Sequence, residues 1–310
     1  MLWVIGNKGM LGAELSLVLE ERGVPYTGTD REVDIADPGS LEAFAETPGR
    51  GEAVNWIVNC AAYTAVDRAE EDREACRRLN TEGAGNIARL ARTIGARLIH
   101  LSTDYVFDGR GIPEGGNLRP YRESDPTDPV GVYGCTKRDG ETAVLENNPR
   151  SYIVRTAWLY GMYGGNFVRT MLRLMNERDE VKVVDDRRGS PTWARDLAET
   201  LAAVVAAGEG GRCIPYGVYH YTDEGESSWY DFALEIYRLG RELGVIRKEC
   251  AVKPCGSGDF PAKAVRPAYS VLDKGKVKAA LRIRIPAWNE SLSRYLEIIA
   301  KEELSAAGRC

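Results

Sequence analysis

Gly6-Asn7-Lys8-Gly9-Met10-Leu11-Gly12 stands between a four-residue apolar run, Leu2–Ile5, and a segment whose apolar residues Leu11, Leu15, Val18 and Leu19 recur near helical spacing. A buried strand that turns through glycines into an amphipathic helix commits a chain to a βα start. Glycines let the backbone turn sharply and let an anion approach the helix N-terminus, where free N–H groups and the helix dipole favour negative charge. The G-x-x-G-x-x-G spacing in this position points to a bound dinucleotide, with Gly6, Gly9, Met10, Leu11 and Gly12 against the pyrophosphate. Asp30 closes the next apolar run about 20 residues on, where a carboxylate accepts hydrogen bonds from the adenosine ribose. That favours NAD, but Arg31 follows at once and suits the 2′-phosphate of NADP, so both cofactors stay open. Asp34 and Ile35 are expected near the adenine.

The alternation continues through the first half. Strands are expected at 2–5, 25–29, 56–61, 97–102 and 152–156, with a long helix over 73–94 whose Leu79, Ile87, Leu90 and Ile94 pack on the sheet. This is the pattern of an α/β fold, a Rossmann-type parallel sheet flanked by helices. From 104 to 129 the pattern stops in a stretch rich in glycine and proline, which reads as a long functional loop; helical spacing resumes over 132–145. Beyond residue 160 helices are expected near 166–177, 193–206 and 228–243, and strands near 181–184, 218–221 and 251–254. These divide the chain into a dinucleotide-binding domain over 1–160 and a smaller substrate-binding lobe over 161–310 that covers the ligand edge of the sheet and whose chain can cross back to the sheet.

Composition narrows the function classes. The net charge of −5, from 41 basic and 46 acidic residues spread along the chain, provides no basic stripe for nucleic acid. The seven cysteines, at 60, 76, 135, 213, 250, 255 and 310, form no C-x-x-C pair, and the two histidines lie far apart. Free thiols in a reducing compartment are expected, with no metal site built from these residues. No apolar run approaches a membrane span, and the apolar start has no basic leader, so the expected location is the cytoplasm.

Tyr133 and Lys137 lie four apart in the helical segment at 132–145, on one face. A phenol titrates near ~10 and relays protons poorly at neutrality. A neighbouring ammonium is expected to lower that value, so that Tyr133 can protonate a carbonyl oxygen as hydride arrives from the cofactor. Lys137 can also hold the nicotinamide ribose. Ser102-Thr103 ends the apolar run at 97–102, at the carboxyl edge where open α/β sheets bind ligands, and the Thr103 hydroxyl can assist there.

Several blocks together resemble the extended short-chain dehydrogenase/reductases and, more narrowly, the dTDP-4-dehydrorhamnose reductase family. They are the glycine loop, Val58 through Asp67 with Ala69-Glu70, Ser102 through Gly109 (STDYVFDG), Tyr133 through Lys137, Arg155 through Trp158, Gly165 through Val168, Gly189 through Thr192, and Arg266-Pro267. They run from residue 2 to about 292. The resemblance implies reduction of the four-keto group of dTDP-4-dehydro-β-L-rhamnose to dTDP-β-L-rhamnose by NADPH or NADH. Thr103, Tyr133 and Lys137 take the catalytic positions. Ala61, Ala62 and Tyr63 line the cofactor groove. Thr64, Val66, Asp104, Tyr105 and Trp158 face the sugar nucleotide, and Asn166 and Arg266 its diphosphate. A homodimer with Mg2+ at a dimer contact is also implied. The alternatives are a reductase of another nucleotide-linked keto sugar, and a non-catalytic NADP-binding regulatory subunit of the kind that serves methionine adenosyltransferase. Related dehydratases carry Asp-Glu after the strand-end threonine; Tyr105 replaces that Glu and disfavours dehydration.

The family usually places Gln where this chain has Arg187-Arg188; a solvated basic turn is the expected reading. His100 and His220 read as packed or locally bonded. Trp229, Tyr230 and Phe232 read as core, and Glu70-Glu71-Asp72 as a solvated helix start.

Overall fold

Short runs of Val, Ile, Leu and Trp cannot stay in water, and a strand buried on both faces is their natural outcome when helices cover the sheet. The computed structural model describes residues 1–46, 53–260 and 262–307; Cys310 lies outside them. Its central sheet has six strands in the order Gly217–His220, Ser151–Thr156, Arg97–Thr103, Trp56–Asn59, Leu2–Ile5, Tyr26–Thr29. Every neighbouring pair is parallel. This is the Rossmann-type sheet expected. The order reverses between Leu2–Ile5 and Trp56–Asn59, so a crevice opens at the carboxyl ends of those strands.

Helices Met10–Glu21 and Ala194–Glu209 pack on one face of the sheet through Leu15, Val18, Leu197 and Leu201. Helices Ala84–Thr93 and Val132–Asn147 cover the other through Ile87, Ala88, Ala91 and Val144. A further core lies beyond the sheet, where Phe232, Ile236, Met175 and Leu296 join the helices Phe167–Glu177, Trp229–Glu242 and Trp288–Ala307. Phe232 is core as expected, with Trp229 and Tyr230 partly buried against it. Among the described residues no helix is long and apolar enough to cross a membrane.

Two elements differ from the sequence reading. The helix expected over 73–94 is broken into Arg73–Arg77 and Ala84–Thr93 by a π-turn, Arg78–Gly83, and Ile94, past the last turn, is exposed rather than packed. The stretch at 104–129 is not structureless. It holds a 3-10 turn, Asp104–Val106, and a hairpin of Ile112–Glu114 with Asn117–Arg119, and it buries Val106, Phe107 and Tyr121 against Tyr269, Val271 and Leu272. Three-residue strands are too short to show a period. The strand expected near 218–221 forms and crosses back to the central sheet beside Ser151–Thr156.

Helix Val132–Asn147 is held closely. Gly140 touches the π-turn, where a Cβ would lie 2.2 Å from the Asn80 carbonyl oxygen. Glu141 is buried and takes both Arg155 Nε (2.9 Å) and Nη2 (2.6 Å) from the neighbouring strand, and Ser102 Oγ donates to it at 2.5 Å. Removing one partner of such a buried pair strands the other charge away from water. Arg155→Leu is therefore expected to cost about 3–5 kcal/mol, read as a lowered urea midpoint.

Candidate active site

Along the carboxyl edge of the sheet runs one cleft of about 1880 Å³. Its cofactor end is built by the glycine loop. Gly6 turns with φ +79°, and a Cβ there would lie 2.8 Å from the Ala61 nitrogen. Helix Met10–Glu21 has no side-chain cap, so its first N–H groups are free for a ligand. Gly6, Gly9, Met10 and Leu11 line the cleft, as do Asp30, Arg31, Asp34, Ile35, Ala61, Ala62 and Tyr63. Gly12 lies beneath it, packed on the Gly6 carbonyl. Asp34 is partly committed, to Arg78 at 2.5 Å and to its own turn.

The middle of the cleft holds Thr103, Asp104, Tyr105, Tyr133 and Lys137. Thr103 Oγ1 donates to Asp104 Oδ1 (2.9 Å) and accepts the Tyr105 N–H (3.2 Å). Burial pushes the Asp104 carboxyl up to about 6, and its Oδ2 has no partner. The Tyr105 ring meets Tyr133 edge-on at 5.5 Å. Burial raises the Tyr133 phenol well above its ordinary value, with the Thr103 hydroxyl opposing. This reverses the expectation that Lys137 lowers it. Lys137 Nζ instead donates to the Leu101 carbonyl (2.6 Å) and lies 3.4 Å from His100 Nε2, and burial brings the amine down to about 8.

The far end is lined by Thr64, Val66, Trp158, Trp229, Lys182, Arg187, Lys263 and Arg266. Trp158 is held at φ +47°, a strained setting for a large side chain, and stacks on Trp229 at 3.6 Å. Gly189 makes room for it: a Cβ there would lie 2.4 Å from the indole. Arg266 bonds the Tyr105 hydroxyl (3.1 Å) and pairs with Asp67, while Lys263 pairs with Glu71 across the cleft mouth. Asn166 is not in the cleft. Its Oδ1 caps helix Phe167–Glu177 through the Arg169 N–H and its Nδ2 donates to the Gly161 carbonyl, which uses both ends of the amide.

Arg187 and Glu70 depart from the sequence expectation. Arg187 is no solvated turn residue; it lines the cleft and donates to the carbonyls of Arg266 and Pro267, while Arg188 is exposed and pairs with Asp231. Glu70 accepts the Val132 N–H at 2.9 Å and so serves the start of the helix that carries Tyr133. Sequence reading also missed Asn80, in the π-turn. It exchanges hydrogen bonds with the Tyr63 N–H (2.8 Å) and carbonyl (3.1 Å) and fixes the groove wall. No sequence signal marks it, because a π-turn inside a helical run has no spacing that differs from a helix.

A switch-point glycine loop that shares one cleft with a strand-end threonine and a helical Tyr/Lys pair defines a Rossmann-type α/β protein of the dinucleotide-binding class. The sequence matches the RmlD substrate binding domain over residues 1–301, and the chain belongs to that family. It is similar to the dTDP-4-dehydrorhamnose reductase of Streptomyces griseus, 47% identical with 94% of this chain and 91% of that protein covered. It is also similar to the dTDP-4-keto-6-deoxy-D-glucose reductase of Streptomyces niveus, 39% identical with 97% and 98% covered. The crystal structure of dTDP-4-dehydrorhamnose reductase from Bacillus anthracis in complex with NADP matches with a TM-score of 0.84 at 34% identity, with 95% and 98% covered.

Glu70→Ala removes the acceptor from the Val132 N–H and is expected to cost about 1 kcal/mol in thermal unfolding. Glu70→Gln keeps an acceptor oxygen and should retain most of that stability.

Proposed function

We propose that this chain is an NAD(P)H-dependent reductase that converts dTDP-4-dehydro-β-L-rhamnose to dTDP-β-L-rhamnose at the four-keto group. The observation that carries the reading is the placing of Tyr133: a half-buried phenol that keeps its proton at neutrality, beside Thr103, in the cleft whose other end is a glycine loop suited to a pyrophosphate. The names of the similar proteins support the sugar, and the NADP complex supports the cofactor.

The residues present fit a dinucleotide. The bare Gly6 turn and the uncapped N-terminus of Met10–Glu21 receive the pyrophosphate, Asp30 and Arg31 the adenosine ribose, and Lys137 the nicotinamide ribose. When bound, the reduced nicotinamide supplies hydride to the carbonyl carbon. Reduction needs a proton donor rather than a proton acceptor, and a phenol pushed upward by burial is in the donor form throughout the neutral range. Tyr133 gives its proton to the developing alkoxide oxygen, and Thr103 orients the phenol. Trp158, Tyr105 and the cations Arg187 and Arg266 form the sugar-nucleotide end, where two planar guanidinium groups suit a diphosphate. Arg187 and Arg266 come from the lobe over 161–310, Tyr105 and Trp158 from the first 160 residues.

A second reading is reduction of a different dTDP keto sugar, favoured by the relative named for dTDP-4-keto-6-deoxy-D-glucose. A coupled assay that generates each keto sugar in place and follows NADH and NADPH oxidation separately decides between them. Absence of turnover with both would leave the binding-subunit alternative.

Tyr133→Phe is expected to reduce turnover by about 100-fold or more while cofactor titration by fluorescence stays near normal; near-normal turnover would remove Tyr133 from the role. Asp30→Ala is expected to weaken NADH by about tenfold and NADPH less, and an equal loss for both would count against the ribose contact.

A further inference from the structure

Behind Lys137 lies a chain of buried side chains that the reaction above does not use. Asn59 ends the strand Trp56–Asn59, and His100 sits opposite it in register on Arg97–Thr103. Asn59, His100 and Lys137 are all almost completely buried. Asn59 Oδ1 accepts the Ala61 N–H at 3.0 Å, which fixes which end of the amide is oxygen. Its Nδ2 must then face His100 Nδ1, 3.0 Å away, and an NH2 group there can only donate. His100 Nδ1 is thus the acceptor nitrogen. Burial holds the imidazole neutral, well below its ordinary range, so its one hydrogen sits on Nε2. That nitrogen is the one 3.4 Å from Lys137 Nζ.

An N–H pointed at an ammonium sets donor against donor. A neutral amine has the lone pair to accept it, and still donates to the Leu101 carbonyl. We propose that Asn59 and His100 are positioning residues that govern when Lys137 carries its proton: Asn59 fixes the imidazole tautomer, and the resulting Nε2–H opposes the ammonium. This rests on the reading of Lys137 as part of the reducing site. The other ionisable groups facing Lys137 are Tyr133 and Glu141 on its own helix, Cys60 beyond Asn59, and Cys76 on Arg73–Arg77. Glu141 favours the ammonium but is already taken by Ser102 and Arg155. Because Ala61 lines the cofactor groove, the chain also ties the charge on Lys137 to the geometry of that wall.

The sequence contains two histidines, and the structure gives them opposite tautomers. His220 Nδ1 faces the Tyr121 carbonyl at 3.1 Å and must donate, and its Nε2 faces Arg155 Nη1 at 3.4 Å. An imidazole-15N NMR spectrum of the full chain at neutral pH should therefore show His100 carrying its hydrogen on Nε2 and His220 on Nδ1. In Asn59→Asp a carboxylate still accepts the Ala61 N–H but can only accept from His100, so the His100 hydrogen should move to Nδ1. The alkaline limb of kcat/KM for keto-sugar reduction, where Lys137 loses its proton, should then rise by about one pH unit. His100→Gln adds no charge and can turn a carboxamide oxygen toward Nζ; the limb should rise there too, whereas a merely structural histidine would lower kcat and leave the limb in place. A wild-type His100 hydrogen on Nδ1, or a limb unmoved in both variants, overturns the proposal. The tautomers are read without turnover, so they stand apart from the Tyr133→Phe result that tests the reductase reading itself.

Discussion

The buried pair between Arg155 and Glu141 fixes the geometry on which everything at the cleft depends. Tyr133, Lys137 and Glu141 succeed one another at four-residue steps on one helix, so they share a face. Anchoring the last of them to two strands sets the rotation and height of the other two. Ser102 joins the same carboxylate, one residue before Thr103, so helix and strand end are brought into register by one ion. An ion pair this deep adds little net stability over an apolar contact. What it supplies is direction: a greasy interface tolerates a small slide, whereas a bidentate fork with a third donor does not.

The cofactor wall is set by a second group of polar contacts. Asn80 holds the backbone at Tyr63 and donates to Thr136 on the Tyr133 helix. Asn59 holds Ala61 and reaches Lys137 through His100. Two points of the one loop that follows Trp56–Asn59 are therefore wired to the helix that carries Tyr133. The far end of the cleft is fastened more lightly, by exposed or half-exposed ion pairs from Asp67 and Glu71 to Arg266 and Lys263. Such pairs contribute little stability and yield to salt.

Much of this was legible in the residues. The glycine loop, the apolar runs and the Tyr/Lys spacing are local patterns, and local patterns survive folding. What could not be read depended on distance and burial. The direction in which Tyr133 shifts is decided by how dry its pocket is, and a neighbouring lysine in sequence says nothing of that. The family block points Asn166 toward a diphosphate, but an Asn just before an apolar periodic run is the ordinary sign of a helix cap, and a cap is what it forms. Arg187 looks like one more surface cation until the chain from residue 266 comes back beside it. The π-turn has no composition of its own, and the hairpin at 112–119 is shorter than any period that could reveal it.

The stacked indoles have a consequence for anyone reshaping the far end of the cleft. Trp158 occupies the space that a side chain at position 189 would fill, and its backbone is held in a conformation that large residues avoid. The two positions are therefore one design variable. A library that diversifies Gly189 while keeping Trp158 would consist mostly of clashes. One that shrinks Trp158 first frees the backbone to relax and opens room at 189, so a new shape for this wall is reached by changing the aromatic before the glycine.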